Sequence, residues 1–208
     1  MTTRRDVKVM AVGAGLLALI AVVISVSAGP RGRGGETPTD RGTGKDESRM
    51  EKAVFGAGCF WGVEETFRKV KGVTATRVGY MGGSVENPTY RQVCSDTTGH
   101  TEVCEVTFDP GVISYGKLLE VFWKVHDPTQ VNRQGPDVGK QYRSVIFYSS
   151  EEQKAAAEKS RKELAASDRY EKPVATAIEP AKTFWPAEDY HQRYFEKRGG
   201  GGCHLPGK

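Results

Sequence analysis

The sequence predicts an α+β domain in two layers, a mostly antiparallel sheet with helices packed on it. Three observations carry that expectation. The 208 residues suit one globular domain with an appendage, and no internal repeat divides them. From Met50 onward, segments with a two-residue apolar alternation mix with segments whose apolar residues recur at helical spacing. The two kinds do not alternate strictly as strand, helix, strand, which argues against a doubly wound parallel sheet.

Taken in order, KAVFGAG (Lys52–Gly58) reads as a short apolar strand running into a glycine turn. CFWGVEETFRKVKG then places Phe60, Val63, Phe67 and Val70 at helical spacing, and Gly72 ends the helix. Val73–Tyr80 reads as a strand closed by Gly82-Gly83, and Thr101–Phe108 as another, stopped by Asp109-Pro110-Gly111. Ser114 caps a helix whose apolar face uses Leu118, Leu119, Phe122 and Val125. Asp127–Gln141 is a long polar loop, and long ordered loops are often functional. Tyr142–Ser149 is a third good strand, and Ser149 with Glu152 makes a capping box for a helix to about Ala166. Val174–Glu179 is a last short strand and Glu188–Lys197 a last helix. The sum is a ferredoxin-like sandwich.

Residues 1–29 predict a signal peptide or transmembrane anchor helix. A short charged lead precedes an apolar run from about Val9 to Ala28, long enough to span a bilayer. Its densest part, Leu16–Val26, has the size of a signal-peptide core, and Val26-Ser27-Ala28 offers small residues for cleavage. Arg4-Arg5 weakly resembles a twin-arginine signal. The basic lead favours export, although cations on both sides of the run leave its orientation open. Residues 30–49, rich in Gly, Thr and charge, read as a flexible linker. Residues 50–208 would form the catalytic domain with a flexible Gly-rich C-terminal tail, exported across the cytoplasmic membrane or anchored to its extracytoplasmic face.

Charge excludes one class of partner. Residues 1–49 carry eight Lys and Arg against five Asp and Glu, leaving 22 against 21 in the remainder. A near-neutral domain has no nucleic-acid footprint. Cys59, Cys94, Cys104 and Cys203 are too widely spaced for a disulfide scaffold and lack the paired spacings of a structural zinc site. No metal and no cofactor are expected, and the chain is expected to be a monomer.

The chemistry concentrates on Cys59. It leaves a strand through glycines and enters a helix, so unpaired backbone N–H groups and the positive end of the helix dipole favour its thiolate. Phe60 and Trp61 follow at once and do not share a helix face, so one or both could line a pocket beside the sulfur. In TEVCEVTF, Glu102, Cys104, Val106 and Phe108 share the apolar face. Desolvation there keeps a carboxyl protonated as a proton donor, unless Glu102 reaches water from the strand's end. Cys203 follows four glycines, Gly199–Gly202, a mount suited to a resolving cysteine that must swing to another sulfur. Two rival readings remain: a cysteine acyl transferase or peptidase using His100 or His126 as base, and a Cys/His metal-binding module that could include His204.

These stretches together resemble the A-type peptide methionine sulfoxide reductases. GAGCFWGVE, GYMGGSVENPTYRQVCSDTTGHTEVCEV, QYRS, EDYHQRY and a glycine-rich tail ending in a cysteine all match that family, and the resemblance covers Met50 to Lys208. It implies Cys59 as nucleophile, with Phe60 and Trp61 receiving the substrate's S-methyl group. Glu102 would protonate the sulfoxide oxygen, helped by the hydroxyls of Tyr90 and Tyr142, while Asp137 would organise the surrounding hydrogen bonds. Cys203 would resolve the oxidised Cys59, and Cys94 would have no required part. Cys104 lies outside the family pattern and reads as a small buried residue. The implied reaction is reduction of methionine S-sulfoxide, free or in peptides and proteins. Thioredoxin or an exported thioredoxin-like protein would return the electrons, and no cofactor would take part.

Overall fold

The structure is a computed structural model and describes residues 49–199. The expected leader, the linker and the tail with Cys203 and His204 lie outside the described residues, apart from Arg49 and Gly199. Among the described residues no helix is long and apolar enough to cross a membrane.

The elements in chain order are β1 (Glu51–Ala57), α1 (Phe60–Arg68), β2 (Val73–Met81), α2 (Tyr90–Cys94), β3 (Thr101–Phe108) and α3 (Tyr115–Val125). They continue with β4 (Arg133–Gln134), β5 (Asp137–Val138), β6 (Ser144–Tyr148), α4 (Glu151–Ala165), β7 (Ala177–Pro180) and β8 (Trp185–Pro186). Six strands form one sheet in the order β7-β6-β1-β3-β2-β8, and β4 and β5 form a separate hairpin. Every neighbour in the large sheet is antiparallel except β6 and β7. The central order β6-β1-β3-β2, with α1 and α3 as crossovers, is a split βαβ arrangement and matches the ferredoxin-like expectation.

The apolar pattern decides the layers. Cys104, Val106 and Phe108 of β3 point into one core with Val63 and Phe67 of α1, Leu118, Leu119 and Phe122 of α3, and Ala157 of α4. Val103 points the opposite way, into a smaller core with Val54, Met81, Val145 and Phe147 that Ala181 and Phe184 cover. Both faces of β3 are thus closed. Stacked Phe55, Phe67 and Phe122 rings, with centroids 5.0 and 5.2 Å from Phe55, tie sheet to helices.

Several expected boundaries change. The capping serine of α4 is Ser150, not Ser149: its hydroxyl accepts from Gln153 N–H at 3.3 Å, and the Gln153 side chain accepts from Ser149 N–H at 3.0 Å. The cap has moved by one residue, and the Gln153 side chain returns to the amide before the cap, so the expected capping box is not formed. The helix expected over Glu188–Lys197 is a series of turns ending in a 3₁₀ turn, Glu196–Arg198. Arg193 is left-handed there (φ 51°), and the Gln192 side chain bonds β2 backbone instead of extending a helix face. The long polar loop contains the β4–β5 hairpin and a 3₁₀ turn at Lys140–Tyr142.

Candidate active site

One end of the sheet collects four chain segments. Cys59 lies two residues past the end of β1, Tyr80 and Met81 end β2, Glu102 stands at the start of β3, and Tyr142 lies two residues before β6. Register brings them together, since Tyr80 pairs with Glu102 and Ala57 with Ser144.

Cys59 is the N-cap residue of α1 and is half-buried. The approach to it requires a glycine. Gly58 has φ +91°, and a Cβ there would stand 2.7 Å from both Cβ and Cγ of Gln134. Gln134 is itself fixed: its side chain accepts from Asp127 N–H at 3.1 Å and donates to the Asp127 carbonyl at 2.9 Å. The hairpin therefore rests on the backbone just before the thiol.

Glu102 is buried, only 1% exposed, so it does not reach water from the strand's end. Its Oε2 accepts from the backbone N–H of Phe60 at 3.1 Å. One of the amides expected to face the thiol is thus paired with a carboxyl. Helix α1 has no acidic residue in its first turn, and Glu102 brings a carboxyl to its first amide from β3.

The hydroxyls lie around this pair. Burial pushes the Tyr142 phenol above its ordinary range, and the charges of Glu102, Cys94, Asp137 and Cys59 push the same way. Burial likewise raises Tyr90, whose hydroxyl shares a hydrogen bond with the Cys94 thiol and feels Glu102 and Tyr142. Both phenols remain proton donors across the neutral range. Asp137 sits on β5 opposite Gln134, with its carboxyl raised by burial. The expected residues Cys59, Glu102, Tyr90, Tyr142 and Asp137 thus share one electrostatic neighbourhood.

Phe60 and Trp61 differ in setting. Phe60 is fully buried against Val78, Tyr80, Val93 and Ala187. Trp61 is half-buried, and its Nε1–H donates to His191 Nδ1 at 3.0 Å. That bond requires the His191 proton on Nε2, and burial lowers the His191 pKa in favour of the neutral ring. Tyr194 stacks on Trp61 with centroids 3.7 Å apart and planes at 6°.

Glu188, His191 and Tyr194 were not singled out from the sequence, although EDYHQRY was a recognised stretch. Glu188 Oε2 accepts from the Tyr80 hydroxyl at 3.0 Å and Oε1 from Tyr90 N–H at 2.9 Å, joining β2 to the start of α2. Burial opposes the Glu188 charge, but these donors hold its carboxyl below the usual range. The signal available in the sequence was a compact run of polar and aromatic residues.

The other cysteines and histidines divide clearly. Cys104 is completely buried and its thiol is pushed well up by burial, as a core residue would be. Cys94 is exposed at the end of α2. His100 Nδ1 accepts from Gly83 N–H at 3.1 Å and Nε2 donates to the Val85 carbonyl at 2.7 Å. His126 bonds the Phe122 carbonyl at 2.9 Å and the Ser144 hydroxyl at 2.7 Å. Both rings are occupied by structural bonds, which removes the base that the acyl-transfer reading needs. Among the described residues no group of His, Cys, Asp and Glu could hold a metal ion.

A buried carboxyl on the amide beside a helix-capping thiol, ringed by phenols, defines a thiol-dependent oxidoreductase site. The family profile described as "Peptide methionine sulfoxide reductase" matches residues 51–207. Peptide methionine sulfoxide reductase MsrA of Methanothermobacter thermautotrophicus is 65% identical over 158 residues, 76% of this chain and 94% of that protein. Among solved structures, Mxr1 from Saccharomyces cerevisiae in reduced form superposes with a TM-score of 0.71 at 35% identity, covering 77% of this chain and 92% of that one. Mxr1 in complex with Trx2 superposes with a TM-score of 0.51 at 26% identity, covering 72% and 87%. The chain belongs to the peptide methionine sulfoxide reductase family.

Proposed function

We propose that this site reduces the S epimer of methionine sulfoxide, free or within polypeptides, with electrons drawn finally from a thioredoxin-type dithiol. The observation that carries the reading is the Glu102 carboxyl bonded to Phe60 N–H, directly beside Cys59 and in the field of Tyr90 and Tyr142. A sulfoxide sulfur accepts a nucleophile only when its oxygen is protonated or strongly hydrogen-bonded. Glu102 gives that proton, and the two phenols hold the oxygen. The Cys59 thiolate attacks sulfur, forming an S–S bond, and the substrate S–O bond breaks. The oxygen passes to the Cys59 sulfur as the new S–S bond breaks, which releases methionine and leaves Cys59 as a sulfenic acid. Trp61, with Phe60 behind it, receives the S-methyl group, and Asp137 orders the polar side of the pocket.

Cys203 then condenses with the sulfenic acid to a disulfide, releasing water, and thiol–disulfide exchange returns both cysteines to thiols. The solved complex of the yeast relative with Trx2 supports a thioredoxin as the reductant. The apolar run after the basic lead supports export or anchoring at the cytoplasmic membrane, with the domain on the extracytoplasmic side.

The test is single turnover on methionine S-sulfoxide. The native chain should release one equivalent of methionine per active site without added reductant, and Cys59→Ser none. Methionine release by Cys59→Ser would remove the nucleophile from this scheme.

A further inference from the structure

We infer that His191 is a positioning residue for substrate binding: its imidazole fixes the in-plane orientation of the Trp61 indole and so shapes the wall that meets the S-methyl group. The inference rests on the reading that Trp61 receives that group. Trp61 is held in two places. Tyr194 stacks on one face with centroids 3.7 Å apart, and the indole Nε1–H donates to His191 Nδ1 at 3.0 Å. The two contacts differ in kind. Parallel stacking leaves a ring free to slide and to turn in its own plane, whereas a hydrogen bond at the ring's edge weakens steeply with misalignment. The histidine therefore gives the indole the direction that the tyrosine does not.

The acceptor is set in place without help from Trp61. His191 is buried, and its ring lies against Phe60, Tyr90 and Tyr190 with centroids 5.1, 4.5 and 4.1 Å away. Its backbone N–H donates to the Glu188 carbonyl at 2.9 Å. The next residue, Gln192, bonds the Val78 backbone on β2, and Arg193 N–H donates to Glu64 Oε2 at 2.7 Å. Trp61 and Glu64 are i, i+3 neighbours on α1, so the segment grips one patch of that helix. Nε2–H finds no hydrogen-bond partner among the described residues, with Glu188 Oε2 standing 4.0 Å away. The bond to the indole is thus the one hydrogen bond of a buried imidazole.

A fixed wall acts on binding and not on the chemical step. The S-methyl group meets the indole alike before and during reduction, and such uniform binding changes KM while kcat stays the same. Without the bond, the indole holds its binding-competent orientation for only a fraction of the time, and the apparent affinity falls by that fraction. The net contribution of one hydrogen bond makes this about 2- to 10-fold.

The experiment uses the full chain with His191→Leu, His191→Asn and Trp61→Ala. Single-turnover methionine release is measured against the concentration of methionine S-sulfoxide, which gives a half-saturation concentration and a limiting rate. Asn carries its side-chain oxygen where His carries Nδ1 and can accept from the indole, whereas Leu is of similar volume and has no acceptor. Leu should raise half-saturation about 2- to 10-fold at an unchanged limiting rate, and Asn should stay within about twofold of native. The Leu variant should also discriminate less between methionine and ethionine S-sulfoxides, because a wall that yields admits the extra methylene. In the native chain, 15N spectra should show neutral His191 with its proton on Nε2, a measurement that needs no variant to fold. Native half-saturation in His191→Leu, equal rises in Leu and Asn, unchanged discrimination, or a proton on Nδ1 would overturn the positioning role. Failure of the underlying reading differs: Trp61→Ala would then half-saturate at the native concentration.

Discussion

The backbone N–H of Phe60 donates to Glu102 Oε2 at 3.1 Å, so the first amide of α1 and the first carboxyl of β3 are held together at the nucleophile. That bond ties the acid's position to the helix that Cys59 caps. Glu102→Gln keeps an oxygen for Phe60 N–H and loses the transferable proton. The methionine-release rate in single turnover should fall by about 10²–10⁴-fold with the fold intact. Native rates in this variant would assign proton delivery to Tyr90 and Tyr142.

Gly58→Ala should damage both stability and the site. A Cβ must enter at φ +91° and within 2.7 Å of Gln134, whose side chain is bonded at both ends to Asp127. A left-handed non-glycine costs about 1–3 kcal/mol before any displacement of the hairpin. Denaturant unfolding should show that loss, together with slower methionine release. A variant that matches the native chain in both would mean the hairpin yields freely.

Cys203→Ser should separate the half-reactions. One equivalent of methionine should still appear, while thioredoxin-driven turnover falls sharply, because a sulfenic acid alone offers no disulfide to exchange. Dithiothreitol should restore part of the turnover. Full thioredoxin-driven activity would move the resolving role to another thiol.

His126 should impose an acid limit on stability. Burial lowers its pKa to about 4, against about 6.5 in an unfolded chain. The unfolded state therefore takes up the proton first as pH falls. The stability that the neutral ring contributes is present above pH 6.5 and is lost progressively down to about pH 4, roughly 3 kcal/mol in all. Glu64, raised by burial, acts in the opposite sense at the acid end. Thermal midpoints between pH 7 and 4 should fall more steeply for the native chain than for His126→Gln, and parallel curves would exclude His126 as the cause.

Local pattern made most of the fold legible. Ser114 caps α3 as expected, with its hydroxyl 3.3 Å from Lys117 N–H, and the β3 alternation correctly separated Cys104 and Val106 from Val103. Cys59 at a strand-to-helix junction was also readable, because glycine turns and helical spacing are short-range signals. What pattern could not carry were bonds made by side chains across long separations. Glu188 serves Tyr80 and Tyr90 from about a hundred residues away, and His191 takes the Trp61 indole from 130. The last segment looked helical from its residues, yet Gln192 and Glu188 hold it by tertiary bonds and Arg193 turns left-handed. The family resemblance marked this stretch without giving its residues a task.

Gln192 has one more effect. Its side-chain amide bonds both Val78 N–H and Val78 C=O, at 2.9 Å each, and Ala187 N–H bonds the same carbonyl at 3.0 Å. With β8 pairing Gly79 and Tyr80, the outer margin of β2 nearest the site offers no open ladder. A repair enzyme handles damaged, partly unfolded chains, which readily add themselves to any exposed strand. Along Val78–Tyr80 such a chain finds no strand edge to pair with.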